Sequence, residues 1–213
     1  MFVLLFITKQ TRLKMAKILN IISSPRGEAS NSIKLGNAIV EKLREKDPAA
    51  VVQVKDLTKN PFPHLEEAHL AAFFTPAEKH TDANKAAIKH SNESIQEIMD
   101  ADIIVIGAPM YNFGVSSTLK AWIDHIARAG VTFKYTENGP QGLLTGKKVY
   151  VAVTTGGVYS EGAYKTADFI SPYLKFMLGF LGMTDVTFVT AEGFAVADFQ
   201  ATALDKAIDS IAV

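Results

Sequence analysis

The 213 residues carry 22 Lys+Arg against 22 Asp+Glu, so the chain lacks the basic excess that a nucleic-acid or anionic-membrane partner usually calls for. Hydrophobic residues make up 48% and charged ones 21%, which suits a core of ordinary extent and argues against disorder. With no cysteine there is no disulfide, thiolate metal site, iron–sulfur cluster or thiol redox motif, a composition that fits the cytoplasm.

The chain opens on "MFVLLFI", an apolar run far shorter than the roughly 20 residues needed to span a bilayer. Lys9, Arg12 and Lys14 follow that run instead of preceding it, the reverse of a signal peptide. Met15 then begins "MAKILNIISSPRG", which has the character of a chain start. Residues 1–14 are therefore expected to be an upstream extension or a mis-called start, with an ordinary added strand or tail as an equal alternative. Residues 15–213 show no linker, repeat or low-complexity tract and are expected to form a single domain.

"KILNII" (17–22) reads as a first strand ending at Ser23-Ser24-Pro25, and Leu35, Ile39 and Leu43 mark one face of a helix from about 31 to 45. "VVQVKDL" alternates like a second strand. The next stretch, "TKNPFPHLEEAHLAAFFTPAEKH", carries three prolines and reads as an excursion with short helical pieces. Its His64 and His69 would stand roughly 140° apart on a helix, which is no zinc-binding spacing.

Asn84 to Asp100 predicts one helix with Ile88, Ile95, Ile98 and Met99 inward. "DIIVIGA" is apolar throughout, as a strand covered on both faces has to be. Leu119, Trp122, Ile123 and Ile126 define the following helix, where His125 is expected to be a hydrogen-bonded structural imidazole. "GLLTGKK" is one residue short of a P-loop and lacks the hydroxyl after lysine, so it reads as a turn into the strand "KKVYVAVTT". A helix around Ser171 to Leu181, the strand "DVTFVTA" and a last helix marked by Leu204, Ala207, Ile208 and Ile211 complete the chain.

Strands alternating with helices predict an α/β fold: a five-stranded parallel sheet of order 2-1-3-4-5 with helices on both faces. Ligands in such folds bind outside the carboxyl ends of the strands. Three loops lie there. "SSPRGEASNS" offers Ser24, Ser30, Asn31 and Ser32, either as phosphate donors at a helix amino terminus or as a plain N-cap. "TTGGVYSEG" (154–162) offers Thr154, Thr155, Gly156 and Gly157, whose backbone can approach a flat heterocycle or simply make a flexible turn.

The remaining loop, "APMYNFGVSS", is the unusual one, because Met110, Tyr111 and Phe113 follow a buried strand where turns are ordinarily polar. A planar aromatic ligand or a partner subunit would cover them, with Asn112 at the polar edge; the alternative is a loop folded inward as satellite core.

The block "APMYNFGVSSTLKAWIDHIARAGVTFKYTENGPQGLLTGKK" resembles the FMN-dependent NADH-azoreductases, a flavodoxin-like family that also reduces quinones, and the likeness runs from Met15 through "TAEGF". The resemblance implies FMN held by Ser24, by Ser30, Asn31 and Ser32, by Met110, Tyr111, Asn112 and Phe113, and by Thr154, Thr155, Gly156 and Gly157. Tyr135 and Phe180 match aromatic positions lining the family's acceptor pocket. Thr154-Thr155 stands where Ser-Arg is common, so a positive side chain near the ring edge is missing, and "VYSEGAYKTADF" falls where the family varies in length, which leaves the acceptor preference open.

By the same resemblance the protein is expected to be a homodimer that passes electrons from NADH or NADPH through FMN to a quinone or azo acceptor. One exposed ring face serving both substrates predicts ping-pong kinetics. The composition points to the cytoplasm and to no nucleic-acid or membrane partner. No side chain presents itself as an obligatory acid or base, and no metal site is expected. A flavodoxin-like electron carrier without turnover is the alternative, although such carriers are usually strongly acidic. A phosphodiesterase would need a metal cluster or activated nucleophile, and neither is visible.

Overall fold

The computed structural model describes residues 15–213, so the expected extension over 1–14 lies outside the described residues. Strand β1 (Lys17–Ile22) leads through α1 (Asn31–Lys46) to β2 (Val51–Asp56). The excursion that follows contains α2 (Glu67–Phe74), α3 (Asp82–Ala87) and α4 (Lys89–Asp100) before β3 (Ile103–Pro109) and α5 (Ser117–Ile126). A short antiparallel hairpin, β4 (Phe133–Thr136) and β5 (Gly139–Gly142), precedes β6 (Lys148–Thr154) and α6 (Ser171–Phe180). The chain closes with β7 (Asp185–Ala191), α7 (Ala197–Gln200) and α8 (Ala203–Asp209).

The main sheet is parallel in the order β2-β1-β3-β6-β7, which is 2-1-3-4-5 when its five strands are numbered alone. Period-two alternation sorts its side chains into two apolar layers. Ile104, Ile106, Val149 and Val151 pack against α4, α5 and α6, while Val105, Tyr150 and Ala152 pack against α1 and α8. Strands β3 and β6 are buried almost throughout, because helices cover both faces.

Two expectations need correction. The single helix expected over 84–100 is broken at Ile88 into α3, capped by Thr81, and α4. Met99, expected inward, is exposed. The inner face carries Ser91 and Ser94 instead, because they satisfy polar groups of α5: Trp122 Nε1 donates to Ser94 Oγ at 2.6 Å and Ser91 Oγ donates to the His125 carbonyl at 2.5 Å. The hairpin β4–β5 is an addition that the strand pattern did not announce.

Beneath the excursion, His125 is buried among Phe62, Phe73 and the His69 ring, whose centroid is 4.9 Å away. A carbonyl only accepts, so the 3.0 Å bond to Pro63 O puts the proton on Nε2 and leaves Nδ1 without a partner. Burial pushes this imidazole below its usual value, opposed by the Pro63 bond and by Asp124, and reinforced by His69 and His90. The unfolded chain takes up a proton below pH ~6.5 that the folded one resists, so stability is full above that pH and lost as pH falls. Urea unfolding should show this group contributing a slope of up to about 1.4 kcal/mol per pH unit below pH ~6.5. His125→Phe should remove that part, and a variant with the wild-type slope would refute the assignment.

Candidate functional site

A cavity of about 290 Å³ opens where β1, β3, β6 and β7 end, lined from four loops. The first loop supplies Ser24, Arg26, Ser30 and Asn31. Ser24 is buried, and its hydroxyl accepts from Arg26 N at 3.4 Å. Ser30 caps α1 by accepting from Ile33 N, and its hydroxyl lies 3.0 Å from that of Ser32. Ser32 is buried behind Ser30 and is not a lining residue. Among the described residues, the backbone N–H groups of Asn31 and Ser32 donate to no protein group. They are the orphan donors that every helix amino terminus leaves, here beside the cavity.

The second loop is tied to the first, since Ser23 Oγ donates to Gly107 O at 2.6 Å and Thr118 Oγ1 donates to Ser23 O at 3.0 Å. Pro109, Met110 and Tyr111 line the cavity. Asn112 and Phe113 form a two-residue loop closed by reciprocal backbone bonds between Tyr111 and Gly114, both 3.0 Å. Their φ angles, 49° and 68°, are left-handed, the pattern of a type I′ turn. Asparagine tolerates this conformation, but for phenylalanine it is strained. The strain holds Phe113 out at 47% exposure, edge-on to Tyr159 at 6.3 Å.

From the third loop, Thr154, Thr155 and Gly156 line the cavity. Thr155 Oγ1 is turned back to Gly157 O at 2.8 Å, so its hydroxyl does not replace the missing positive side chain. Gly157 stands just outside the lining, with Tyr159 so close that an added Cβ would come within 3.1 Å of the ring. Among the described residues, the N–H groups of Gly156 and Gly157 make no hydrogen bond.

The fourth loop, after β7, was not expected to take part. Phe194 N donates to Thr155 O at 3.2 Å and Ala195 N to Gly156 O at 2.8 Å, and both residues line the cavity. Glu192 holds the third loop in place, accepting from Tyr159 N at 2.8 Å, from Ser160 N at 3.0 Å and from the Ser160 hydroxyl.

Tyr135 and Phe180 are not among the residues lining the cavity. They meet through Phe133, which lies 5.6 Å from the Tyr135 ring and 4.5 Å from Phe180, and Phe180 stacks on Phe176 at 6.4 Å. Tyr135 is 74% exposed and Phe176 69%, so this is an aromatic patch waiting for a cover. Arg26, Pro109, Phe194 and Ala195 are the lining residues that sequence reasoning missed. Applying the strand-end rule to the fifth strand would have found the last two.

The walls fit a ligand with an anionic group and a flat ring. Hydroxyls, free N–H donors and one guanidinium serve the anion, while Met110, Tyr111, Phe194 and the Gly156 backbone serve a plane. Among the described residues no helix is long and apolar enough to cross a membrane, and no cluster of three His, Asp or Glu could hold a metal ion.

The family model described as flavodoxin-like fold matches residues 16–213. The chain is 52% identical over 182 residues to an FMN-dependent NADH:quinone oxidoreductase of Herminiimonas arsenicoxydans, covering 85% of this chain and 89% of that one. A protein of the same name from Aromatoleum aromaticum is 55% identical over 179 residues, covering 84% and 88%. Among solved structures, an azoreductase from Bacillus anthracis superposes with a TM-score of 0.82 at 30% identity, covering 92% of this chain and 98% of that chain. An FMN-dependent NADH-azoreductase from the same species, in complex with FMN, superposes at 0.81 with 29% identity, covering 92% and 97%.

Proposed function

The chain belongs to the flavodoxin-like family that includes the FMN-dependent NADH:quinone oxidoreductases, and from that premise we propose how its own residues divide the work. It is an FMN-dependent oxidoreductase that takes electrons from NADH and delivers them to quinone and azo acceptors. The observation that carries this reading is one cavity joining the free donors at the start of α1 to the Met110–Tyr111 wall. Bound FMN supplies what side chains lack, accepting a hydride and returning two electrons.

Ser24, Ser30 and Asn31, with Ser32 behind them, hold the phosphate. Met110 and Tyr111 form the bed of the ring, while Asn112 and Phe113, on the turn just outside the lining, would reach it at the mouth. Thr154 and Thr155 would wall the ring edge, and the free N–H groups of Gly156 and Gly157 would face the negative charge of a reduced ring, a preorganised arrangement that needs no protein acid or base. Donor and acceptor use the same open side of the cavity in turn, which gives ping-pong kinetics.

A homodimer completes the acceptor side. The exposed ring of Tyr135 and the Phe176–Phe180 pair need covering, and a second copy placed there would bring Tyr135 and Phe180 to a cavity that they do not line in their own chain. The neutral, cysteine-free composition suits the cytoplasm.

Purified protein is expected to be yellow, to bleach on anaerobic addition of NADH, and to oxidise NADH with menadione along parallel double-reciprocal lines. A colourless protein that ignores added FMN would overturn the reading. Bleaching without menadione turnover would instead favour an electron carrier. Sedimentation should give a dimer, and an active, FMN-saturated monomer would remove the shared acceptor pocket.

A further inference from the structure

Of the residues that line the cavity, Arg26 alone carries a charge; the others are serines, threonines, asparagine, glycine and apolar side chains. No carboxylate lines it. The Arg26 guanidinium makes no ion pair and no hydrogen bond among the described residues. Two acids come near in sequence or space without engaging it. Glu28 is exposed two residues on, and Asp205 lies across a shallow depression that Arg26, Asn31 and Phe194 also border.

The backbone beneath this free side chain is well held. Arg26 N donates to Ser24 Oγ, Ala29 N donates to Arg26 O at 3.2 Å, and Ser30 N donates to Gly27 O at 2.9 Å. Gly27 takes a φ of 53°, which a residue without Cβ adopts freely, and so lets the turn deliver Ser30 to the start of α1. A fixed backbone therefore presents an uncommitted cation beside two free N–H donors and three polar side chains.

Neutral donors and a helix amino terminus offer roughly half a unit of positive charge. That balances part of one negative charge. A phosphate monoester carries close to two above its second ionisation near pH ~6, and only a guanidinium here can meet the second, by paired N–H bonds. We propose that Arg26 is the specificity-determining residue of the cofactor site, selecting a dianionic phosphate monoester over an uncharged flavin. The proposal rests on the cavity being the FMN site argued above.

The test is flavin binding, followed by fluorescence quenching as flavin-free, full-length protein is titrated with FMN and, separately, with riboflavin at pH 7.5. Arg26→Gln is expected to weaken FMN by on the order of ten- to a hundredfold, the scale of a lost charged hydrogen-bonding partner, and to leave riboflavin within about threefold. Arg26→Lys keeps the charge but not the fork and should fall between. Wild-type affinity for FMN should drop from pH 7.5 to 5.5 as the phosphate loses its second charge, and Arg26→Gln should flatten that dependence. Arg26 is exposed and unpaired, so thermal unfolding should be unchanged in both variants.

If Arg26→Gln keeps the wild-type preference for FMN over riboflavin, or if wild type binds both equally, the assignment to Arg26 is wrong while the cavity remains a flavin site. If wild type binds neither flavin, the functional reading falls and takes this one with it.

Discussion

Replacing Gly142 by alanine is expected to destabilise the protein by about 3–5 kcal/mol, on the order of 10 °C in Tm for a chain of this size. A Cβ at Gly142 would lie 2.1 Å from Gly182 N and 2.3 Å from Leu181 C, which are backbone atoms and cannot swing aside. Gly182, at φ 103°, faces Gly142 in turn, and Leu144 N donates to Leu181 O at 2.9 Å beside them. The hairpin β4–β5 thus lies directly on the end of α6 through two glycines. Phe133 lies 4.5 Å from Phe180 across the same crossing, so the substitution should also loosen the aromatic patch and, on the proposed acceptor role of that patch, raise the acceptor KM. Gly179→Ala is the control from the same helix. A Cβ there meets nothing within 4 Å, and helix propensity predicts a gain of about 0.5–1 kcal/mol. Urea unfolding of both variants decides the matter. A loss below about 1 kcal/mol for Gly142→Ala would show that the crossing can open at little cost.

How far the sequence could be read depended on how local the governing physics was. "IIVIGAP" and "KVYVAVT" announce buried strands because each residue needs apolar surroundings on its own face, and those runs are β3 and β6. The hairpin was invisible because "GPQG" holds two glycines and a proline, and because a glycine-to-glycine crossing at Gly182 shapes it. Met99 was misplaced because serines seemed poorer core residues than methionine. Only the indole of Trp122, distant in sequence, explains Ser94.

The cavity was partly legible in the same sense. Strand-end topology pointed to Ser24, Met110 and Thr154, all of which line it. Arg26 reads as an ordinary surface residue until three-dimensional placement leaves it as the single charge on the wall. Tyr135 and Phe180 could be named only through resemblance, since no spacing links a hairpin residue to the last turn of α6.

Phe113→Gly is expected to weaken FMN binding by about tenfold while leaving stability within about 1 kcal/mol of wild type. The ring is 47% exposed, so its removal forfeits little packing and the backbone decides the sign. The reason lies in the turn. Asn-Gly is the favoured pair for a type I′ hairpin, and this chain has Asn112-Phe113 with the second residue at φ 68°. Holding a bulky L-residue there costs roughly 1–2 kcal/mol, which glycine relieves. Against that relief stand the greater freedom of glycine in the unfolded chain and the lost edge contact with Tyr159.

The comparison with Phe113→Ala separates strain from contact. Alanine loses the ring but keeps a Cβ at positive φ, so it should be less stable than glycine by about 1 kcal/mol, the reverse of the usual order at exposed sites. Both variants should lose FMN affinity equally, because both lack the ring. Equal stability for alanine and glycine would show that the left-handed turn stores no energy. Full FMN affinity in either variant would show that the exposed ring does not serve the cofactor. The expected pattern makes the loop a place where a less stable backbone is kept because it carries an aromatic plane to the mouth of the cavity.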